Sequence, residues 1–286
     1  MKTQFSSENA LKLIKQKKSI LVYDLETTGL NKTDDRIIQF SGDLYSCEET
    51  GKYHKADSLN IYIRQEFLLP VKIVELTGIT DEKLQIEGVS EREAAEKILC
   101  ILQKSDVICG YNNKRFDNLF MENLMVRQFD AHFTFSDQID VFEIVKELID
   151  LDDLPDRHYK LCVVADYYKV AVEGFHNAAV DIENTWLVLK AAMYDYRNQR
   201  KEHKQEIKQY IRDFNITGMN RWKKSRTMDR LYVETSRGEV VYDLYKNEVS
   251  PKQPNGPNLD PGVLVEQMNV YAKSCGYSSY KVYSKY

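Results

Sequence analysis

The sequence predicts an α/β protein in which a mixed sheet has helices on both sides and a small α+β region follows at the C-terminus. Three observations predict this fold class. Short apolar runs that are typical of buried strands come first in the chain. Stretches with helical periodicity then alternate with such runs. Beyond residue 196, two more strand-like runs surround a glycine turn and precede a last amphipathic stretch.

The first predicted strand is a short apolar run that ends in an acid, Ser19 to Asp24. Three further strands are predicted over 36–45, 52–63 and 106–110. One predicted helix follows Ser6, and another follows Ser90, which has capping-box spacing to Glu93. The remaining helices are predicted over 116–128, 140–149, 159–168, 178–209 and 262–275.

We expect three segments along the chain. They are a large domain over 1–196, a basic helical connector over 197–230, and a small hairpin-plus-helix region of unknown role over 231–286. The connector holds 11 basic and 4 acidic residues, whereas the whole chain has a net charge of −4. A basic segment on an acidic protein suits either a surface that attracts phosphate or a solvated helix face.

Composition excludes several classes of protein. Hydrophobic residues make up 43% and charged residues 29%, which is ordinary for a globular protein. No apolar run approaches the roughly 20 residues of a membrane span, and the N-terminus lacks the features of a secretory signal. The five cysteines form no CxxC pair, which argues against a zinc or disulfide framework. We therefore expect a cytoplasmic protein without a membrane partner.

Two carboxylates, Asp24 and Glu26, lie at the end of the first predicted strand. Side chains at positions i and i+2 of a strand point to the same face, so the two acids are presented together. Hard oxygen ligands of this kind suit Mg²⁺ or Mn²⁺. Taken alone, the pair is more typical of exposed acids before a turn.

Two further acids stand where helices begin. Asp117 follows a buried strand and a polar loop, and Asp181 lies in the first turn of an apolar helix. Asp117 is also consistent with an acid that is favoured by the helix macrodipole. His176 precedes Asp181 by five residues, and an ordinary imidazole pKa near 6.5 suits a general base at neutral pH. A surface histidine is the alternative interpretation.

The order Asp-x-Glu, Asp, His, Asp is more specific than any of its parts. Phosphodiester hydrolysis by two cations about 4 Å apart needs such a set, because the cations activate water and stabilise the leaving oxygen while a base removes a proton. Each acid also stands at the end or start of a buried element. The combination therefore predicts a metal-dependent phosphodiesterase site.

These motifs resemble those of the DEDDh exonucleases, and residues 19–195 carry the resemblance. The similarity is greatest to the nuclease domain of bacterial exonuclease I, and it extends to the proofreading (epsilon) subunit of DNA polymerase III. The fold implied is ribonuclease-H-like, a mixed five-stranded sheet flanked by helices. The matching motifs are Tyr23-Asp24-x-Glu26-Thr27-x-Gly29, Gln39-Phe40, Leu76-Thr77-Gly78-Ile79-Thr80, Gly110-Tyr111-Asn112-Asn113-x-Arg115-Phe116-Asp117, and Asn177-Ala178 followed by Asp181.

The resemblance implies a 3′→5′ exonuclease that binds the 3′ end of single-stranded DNA, requires two Mg²⁺ or Mn²⁺ ions, and releases 5′-mononucleotides. It implies His176 as the general base. The implied metal ligands are Asp24, Glu26, Asp117 and Asp181. The residues implied to bind the terminal nucleotide and the strand are Thr27, Thr28, Gly29, Leu76, Thr77, Ile79, Asn113 and Arg115. Phe116 is expected to pack beneath its loop.

The residues after 196 do not resemble the further domains with which exonuclease I surrounds DNA. The basic connector is a candidate substitute, since cations neutralise phosphates and an aromatic side chain stacks on bases. Its candidate residues are Arg221, Trp222, Lys223, Lys224 and Arg226. Three alternatives stay open: an exoribonuclease that acts on RNA, a proofreading subunit that binds a polymerase through 197–286, and a catalytically inactive nucleic-acid-binding protein.

Overall fold

A computed structural model of the chain describes residues 6–131, 135, 137–172, 174, 177–212, 215–252 and 259–284. The side chains of 203–204 and 206–212 are outside this description. The chain divides into two compact units, 1–197 and 198–286. Among the described helices, none combines the length and apolar character that crossing a bilayer requires.

The first unit contains a five-stranded sheet in the spatial order β3-β2-β1-β4-β5. Its strands are β1 (Ser19–Thr27), β2 (Ile37–Cys47), β3 (Tyr53–Tyr62), β4 (Val107–Gly110) and β5 (Gln138–Asp140). β1 pairs antiparallel with β2 and parallel with β4, so the sheet is mixed. The predicted fold class is confirmed. The residue pattern alone predicts four of these strands, because the three residues of β5 are too few to show a periodicity.

Eight helices are described that begin in the first unit, and they lie before, between and after the strands. They are α1 (Ser6–Gln16), α2 (Val71–Thr77), α3 (Asp81–Glu87), α4 (Glu91–Leu102), α5 (Asp117–Phe129), α6 (Val141–Leu148), α7 (Leu161–Tyr167) and α8 (Ala178–Arg212). Ser90 caps α4 as expected, and its side chain accepts a hydrogen bond from the backbone N–H of Glu93. The short helices α2 and α3 are not evident from the sequence pattern.

Alternate residues of β1 face two different hydrophobic cores. Ile20 and Val22 belong to a core with α1, α6, α7 and α8, whereas Leu21 and Tyr23 belong to a core with α4 and α5. Both faces of the central strand are therefore covered by helices. Full burial of one such aliphatic side chain contributes about 1.5–3 kcal/mol. This burial explains why the strand is an uninterrupted apolar run rather than an alternating one.

The carboxyl end of β1 extends beyond its pairing with β4. The parallel pairs run from Ile20 with Val107 to Val22 with Cys109, while the antiparallel pairing with β2 continues to Thr27. The residues of β1 after Val22 therefore have a strand on one side only. This leaves room on the other side for the segment that connects β4 to α5.

The second unit is a four-stranded antiparallel sheet with one helix on its inner face. The elements are β6 (Ile216–Ser225), β7 (Met228–Thr235), β8 (Gly238–Asp243), β9 (Glu248–Pro251) and α9 (Pro261–Ser274). Met219 and Leu231 of the sheet belong to one hydrophobic core with Leu264 and Met268 of α9. The α+β character expected at the C-terminus is thus present.

The prediction of a helical connector over 197–230 is wrong from residue 216 onwards. Residues 216–225 form the edge strand β6, which pairs antiparallel with β7. Lysine and arginine favour helices, but burial of Met219 and pairing with β7 outweigh that weak preference.

Candidate active site

Three of the predicted acids come together at the carboxyl end of β1. Ligand oxygens of Asp24, Glu26 and Asp181 all lie within 4.8 Å of one another. The side chains of Asp24 and Glu26 point to the same face of the sheet because they are two residues apart on β1. The third comes from the first turn of α8. All three side chains are half-buried, so they remain accessible to a ligand.

Asp117, the fourth predicted acid, is next to this cluster but outside it. It is the first residue of α5 and is only 4% exposed. Its carboxylate accepts hydrogen bonds from its own backbone N–H and from that of Leu25. It is close enough for its charge to raise the pKa values of Asp24 and Glu26. The structure therefore orients Asp117 towards the backbone of β1.

The crowding of these acids makes their ionisation unfavourable. Burial, followed by the charges of Asp181 and Asp117, raises the pKa of Glu26 to about 7. Burial also raises the pKa of Asp117 to about 7 and the pKa of Asp24 well above its ordinary value. A divalent cation would remove this penalty, because it would neutralise the charges and use the hard oxygen ligands. The donor set therefore fits a divalent metal ion.

The loop that delivers Asp117 is attached to the sheet by Asp140, a residue that no sequence motif singles out. The Asp140 carboxylate accepts hydrogen bonds from the backbone N–H groups of Asn112 at 2.9 Å and Lys114 at 3.3 Å. It also caps α6 through the N–H of Phe142 at 3.1 Å. Asn112 has a φ of 63°, a left-handed conformation that asparagine tolerates. The sequence feature that could have identified Asp140 is its position directly before a helix, where an aspartate acts as a cap.

A buried polar network supports the same loop from below. The Tyr23 hydroxyl donates to Oδ1 of Asn118, and Nδ2 of Asn118 donates to Oε1 of Gln138 at 2.7 Å. Asn113 is fully buried beside them, and its Cβ would lie 2.7 Å from a Cβ at Gly110. Glycine at 110 is therefore required for the loop to pack against β4.

A cavity of about 460 Å³ lies on one side of the carboxylates. Its wall includes Glu26, Phe116 and the segment 27–30, and α2 contributes its other side through Leu76 and Thr77. Leu76 is half-exposed, which leaves apolar surface at the cavity. The predicted nucleotide-binding residues Thr27, Thr28, Gly29, Leu76 and Thr77 thus share one cavity.

Three predicted binding residues are placed differently. Ile79 and Asn113 are buried and do not line this cavity. Arg115 is exposed on the loop before α5. Phe116 packs against Phe120 with ring centroids 4.9 Å apart, as its expected packing role requires, and it also lines the cavity.

A second cavity of about 460 Å³ is lined in part by Asp24 and Asp181. Aromatic side chains make much of its wall, and Lys160 adds a positive charge. The aromatic residues are Tyr111, Phe142 and Tyr159. Sequence reasoning did not find this cavity, because its lining residues come from five separate segments of the chain.

His176, the predicted general base, lies outside the described residues. The described chain resumes at Asn177, whose carbonyl accepts hydrogen bonds from the N–H groups of Val180 and Asp181 and so begins α8. The role of His176 stays a prediction.

Known proteins are similar to this chain over much of the first unit. The family described as Exonuclease (RNase_T) matches residues 21–189. Exodeoxyribonuclease I of Buchnera aphidicola is 35% identical over 116 residues, which are 39% of this chain and 23% of that protein. Exodeoxyribonuclease I of Haemophilus influenzae is 25% identical over 60% of this chain and 39% of that protein. A PolC-type DNA polymerase III of Pediococcus pentosaceus is 28% identical over 66% of this chain and 13% of that protein.

Solved structures share the fold. A zinc-bound complex of E. coli exonuclease I with single-stranded DNA superposes with a TM-score of 0.54 at 21% identity, over 64% of this chain and 42% of that one. Another E. coli exonuclease I structure gives a TM-score of 0.52 at 18% identity, over 76% of this chain and 55% of that one. The chain spans less than half the length of the curated relatives that it matches.

Proposed function

Because this chain belongs to the exonuclease (RNase T) family, we propose that it hydrolyses the 3′-terminal phosphodiester of single-stranded DNA and releases 5′-mononucleotides. The observation that carries the proposal is the cluster of Asp24, Glu26 and Asp181 at the edge of a nucleotide-sized cavity. Relatives that are named exodeoxyribonuclease I support DNA as the substrate.

Asp24, Glu26 and Asp181, with Asp117 beside them, would hold two Mg²⁺ or Mn²⁺ ions. Such ions would polarise the phosphoryl group and make water more acidic. His176 would remove a proton from the attacking water. Water adds its oxygen to phosphorus while the bond from phosphorus to the 3′ oxygen of the preceding nucleotide breaks. That oxygen leaves with a proton, so the shortened strand again ends in a 3′-OH.

Glu26 belongs both to the carboxylate cluster and to the wall of the first cavity. A terminal nucleotide in this cavity would therefore have its 5′ phosphate close to the carboxylates. Thr27 Oγ1 donates a hydrogen bond to the carbonyl of Gly29 at 2.7 Å, which holds the loop in a compact turn. The apolar side chains of Leu30 and Leu76 would contact the terminal base or sugar.

The test is digestion of oligonucleotides that carry a label at either end, in Mg²⁺ and in EDTA, with the wild type and with Asp181→Ala. We expect shortening from the 3′ end of single-stranded DNA only, and we expect EDTA or the substitution to abolish it. Faster digestion of an RNA of the same sequence would show that RNA, rather than DNA, is the preferred substrate. Absence of metal-dependent cleavage on every substrate would contradict hydrolysis and favour a nucleic-acid-binding protein.

The PolC-type relatives favour a second candidate, a proofreading nuclease that works beside a polymerase. Such an enzyme removes a mismatched 3′ nucleotide from a primer–template faster than a matched one. The experiment compares the two termini with and without a replicative polymerase. Mismatch preference that requires the polymerase supports this candidate, whereas equal rates contradict it.

A further inference from the structure

The turn between β6 and β7 forms a strongly basic hairpin, defined here as residues 221–230. It contains five basic residues and one acidic residue. The rest of the chain is acidic, since the net charge of the whole protein is −4. The described hairpin therefore concentrates positive charge at one corner of the C-terminal sheet.

Arg221 has a structural role within this hairpin. Its Nε and Nη2 donate to Oδ1 and Oδ2 of Asp229 at 2.8 and 2.5 Å. Nη1 donates to the carbonyls of Lys281 and Tyr283 at 2.8 and 2.9 Å. The largely buried bidentate pair fixes the guanidinium within the hairpin, and the Nη1 bonds hold the hairpin to the C-terminal segment. The expectation that Arg221 contacts a nucleic-acid strand is therefore corrected.

The other cations of the hairpin are exposed. Lys224 and Arg226 lie at its tip and are solvent-exposed. Arg230 is also exposed, and the Cα register places it opposite Trp222. Its Nε is 3.4 Å from Oδ2 of Asp243, and the arginine side chain is 45% exposed. Positive charge thus surrounds Trp222 on the described part of the sheet.

Trp222 and Met228 expose large apolar surfaces on the same hairpin. The side chains are 44% and 47% exposed, respectively. Met219 and Leu231 point to the core with α9, so the positions of opposite parity, Trp222 and Arg230, lie on the other face of the sheet. The outer face of the hairpin therefore combines an exposed indole ring with exposed cations.

Cations and an accessible indole ring together match the chemistry of an unpaired nucleic-acid strand. Lysine and arginine neutralise phosphates, and an aromatic ring stacks on any base whose face is free. The faces of bases in a duplex are already stacked, so a single strand is the better partner. Glu234 and Glu239 lie farther along the sheet, and their negative charges confine the basic surface to the hairpin end.

We propose that the basic hairpin binds the phosphates of a single-stranded nucleic acid while Trp222 stacks on one of its bases. This binding is separate from hydrolysis at Asp24, Glu26 and Asp181. It can therefore be measured on the full chain with every metal ion chelated, and its outcome is independent of whether the proposed hydrolysis is correct.

The test compares two double variants of equal charge change in EDTA. Lys224→Glu/Arg226→Glu alters the hairpin, and Arg237→Glu/Lys273→Glu alters two exposed cations elsewhere in the second unit, one in the turn at the opposite end of β7 and one in α9. With a fluorescent thymidine oligonucleotide of about 20 residues, we expect the hairpin variant to bind roughly tenfold more weakly. The dependence of log affinity on log salt concentration should become shallower by roughly 0.7 for each phosphate that is no longer neutralised. Equal weakening by both variants would overturn the proposal.

A second readout tests the stacking of Trp222. Trp186 is buried in the first unit, so quenching of tryptophan fluorescence by the oligonucleotide should come from Trp222. We expect quenching by single-stranded DNA or RNA, little by duplex, and none with Trp222→Phe. Comparing DNA with RNA identifies which strand is preferred. Quenching that survives Trp222→Phe, or that duplex produces equally, would contradict the proposal.

Discussion

At the scale of single residues, the site is defined by repulsion between carboxylates. Two unit charges 4.8 Å apart repel by about 3 kcal/mol at an effective dielectric constant of about 20. Asp24, Glu26 and Asp181 contribute three such pairs. Protons or a divalent cation must compensate for this energy, and the raised pKa of Glu26 reflects the protonated alternative. Such an arrangement is costly for structure alone and useful for holding a metal.

The first prediction concerns Asp24. Asp24→Asn keeps the size of the side chain but removes one charge from the cluster, so we expect the cleavage rate to fall by at least about a hundredfold, equivalent to about 3 kcal/mol. Initial rates on end-labelled DNA in Mg²⁺ measure the effect. The control is Asp153→Asn, the same chemical change at an exposed position. A rate for Asp24→Asn equal to that of the control would exclude Asp24 as a ligand.

The second prediction concerns Gly29. A Cβ at this position would lie 2.4 Å from Oδ2 of Asp35. The Asp35 carboxylate accepts hydrogen bonds from Oγ1 of Thr28 and from the N–H of Asn31, so it cannot move without loosening the loop. We expect Gly29→Ala to raise KM for the DNA about tenfold or more, because this loop lines the first cavity. Steady-state kinetics check this prediction, and an unchanged KM would contradict it.

At the scale of elements, one carboxylate connects the end of β5, the start of α6 and the loop before α5. The Asp140 carboxylate accepts three hydrogen bonds, two from backbone N–H groups of the loop and one from a backbone N–H group of α6. The order of the strands places β5 beside β4, so this acid is next to the loop that follows β4. The loop that carries Asp117 is therefore attached to a residue outside the carboxylate cluster.

The third prediction tests this dependence. Asp140→Ala should cost about 1–3 kcal/mol of unfolding free energy and also reduce the rate more than tenfold, because the loop loses its anchor. Ser90→Ala is the matched control, since Ser90 caps α4 by one side-chain bond. It should cost about 1 kcal/mol with little change in rate.

Urea denaturation and initial rates measure the two effects separately. A loss of stability in both variants with an equal change in rate would show that Asp140 acts through overall stability only. A selective loss of rate in Asp140→Ala would identify it as a positioning residue for the loop before α5.

At the scale of the whole molecule, the metal site should couple to folding. The cluster joins β1 to α8, which are distant in sequence, and unfolding separates them. A ligand that binds only the folded state stabilises it, by about 2.7 kcal/mol at a hundredfold excess over Kd. The stability of the protein should therefore depend on divalent cations.

The fourth prediction follows from this linkage. Adding Mn²⁺ after treatment with EDTA should raise the Tm of the wild type by about 5 °C or more once the ion is in large excess over its Kd. The double variant Asp24→Asn/Asp181→Asn should show a much smaller rise. Differential scanning calorimetry measures both values. A rise of equal size in the two proteins would place metal binding elsewhere.

Much of the fold and of the candidate site could be predicted from local pattern. The uninterrupted apolar run of β1 indicated a strand that is buried on both faces, and the hydroxyl of Ser90 indicated the start of α4. The alternation of strand side chains put Asp24 and Glu26 on one face. These features depend on neighbours within a few residues, so the sequence shows them directly.

Other features depend on residues that are far apart in the chain. Folding places Asp181 beside Asp24, turns Asp117 towards the backbone of Leu25, and buries Asn113 away from the cavity. It also makes residues 216–225 a strand, since pairing with β7 outweighs the local preference for a helix. The family and most element positions could thus be read from the amino-acid order. Which side chains meet could not, because packing between distant segments sets those contacts and no local pattern records them.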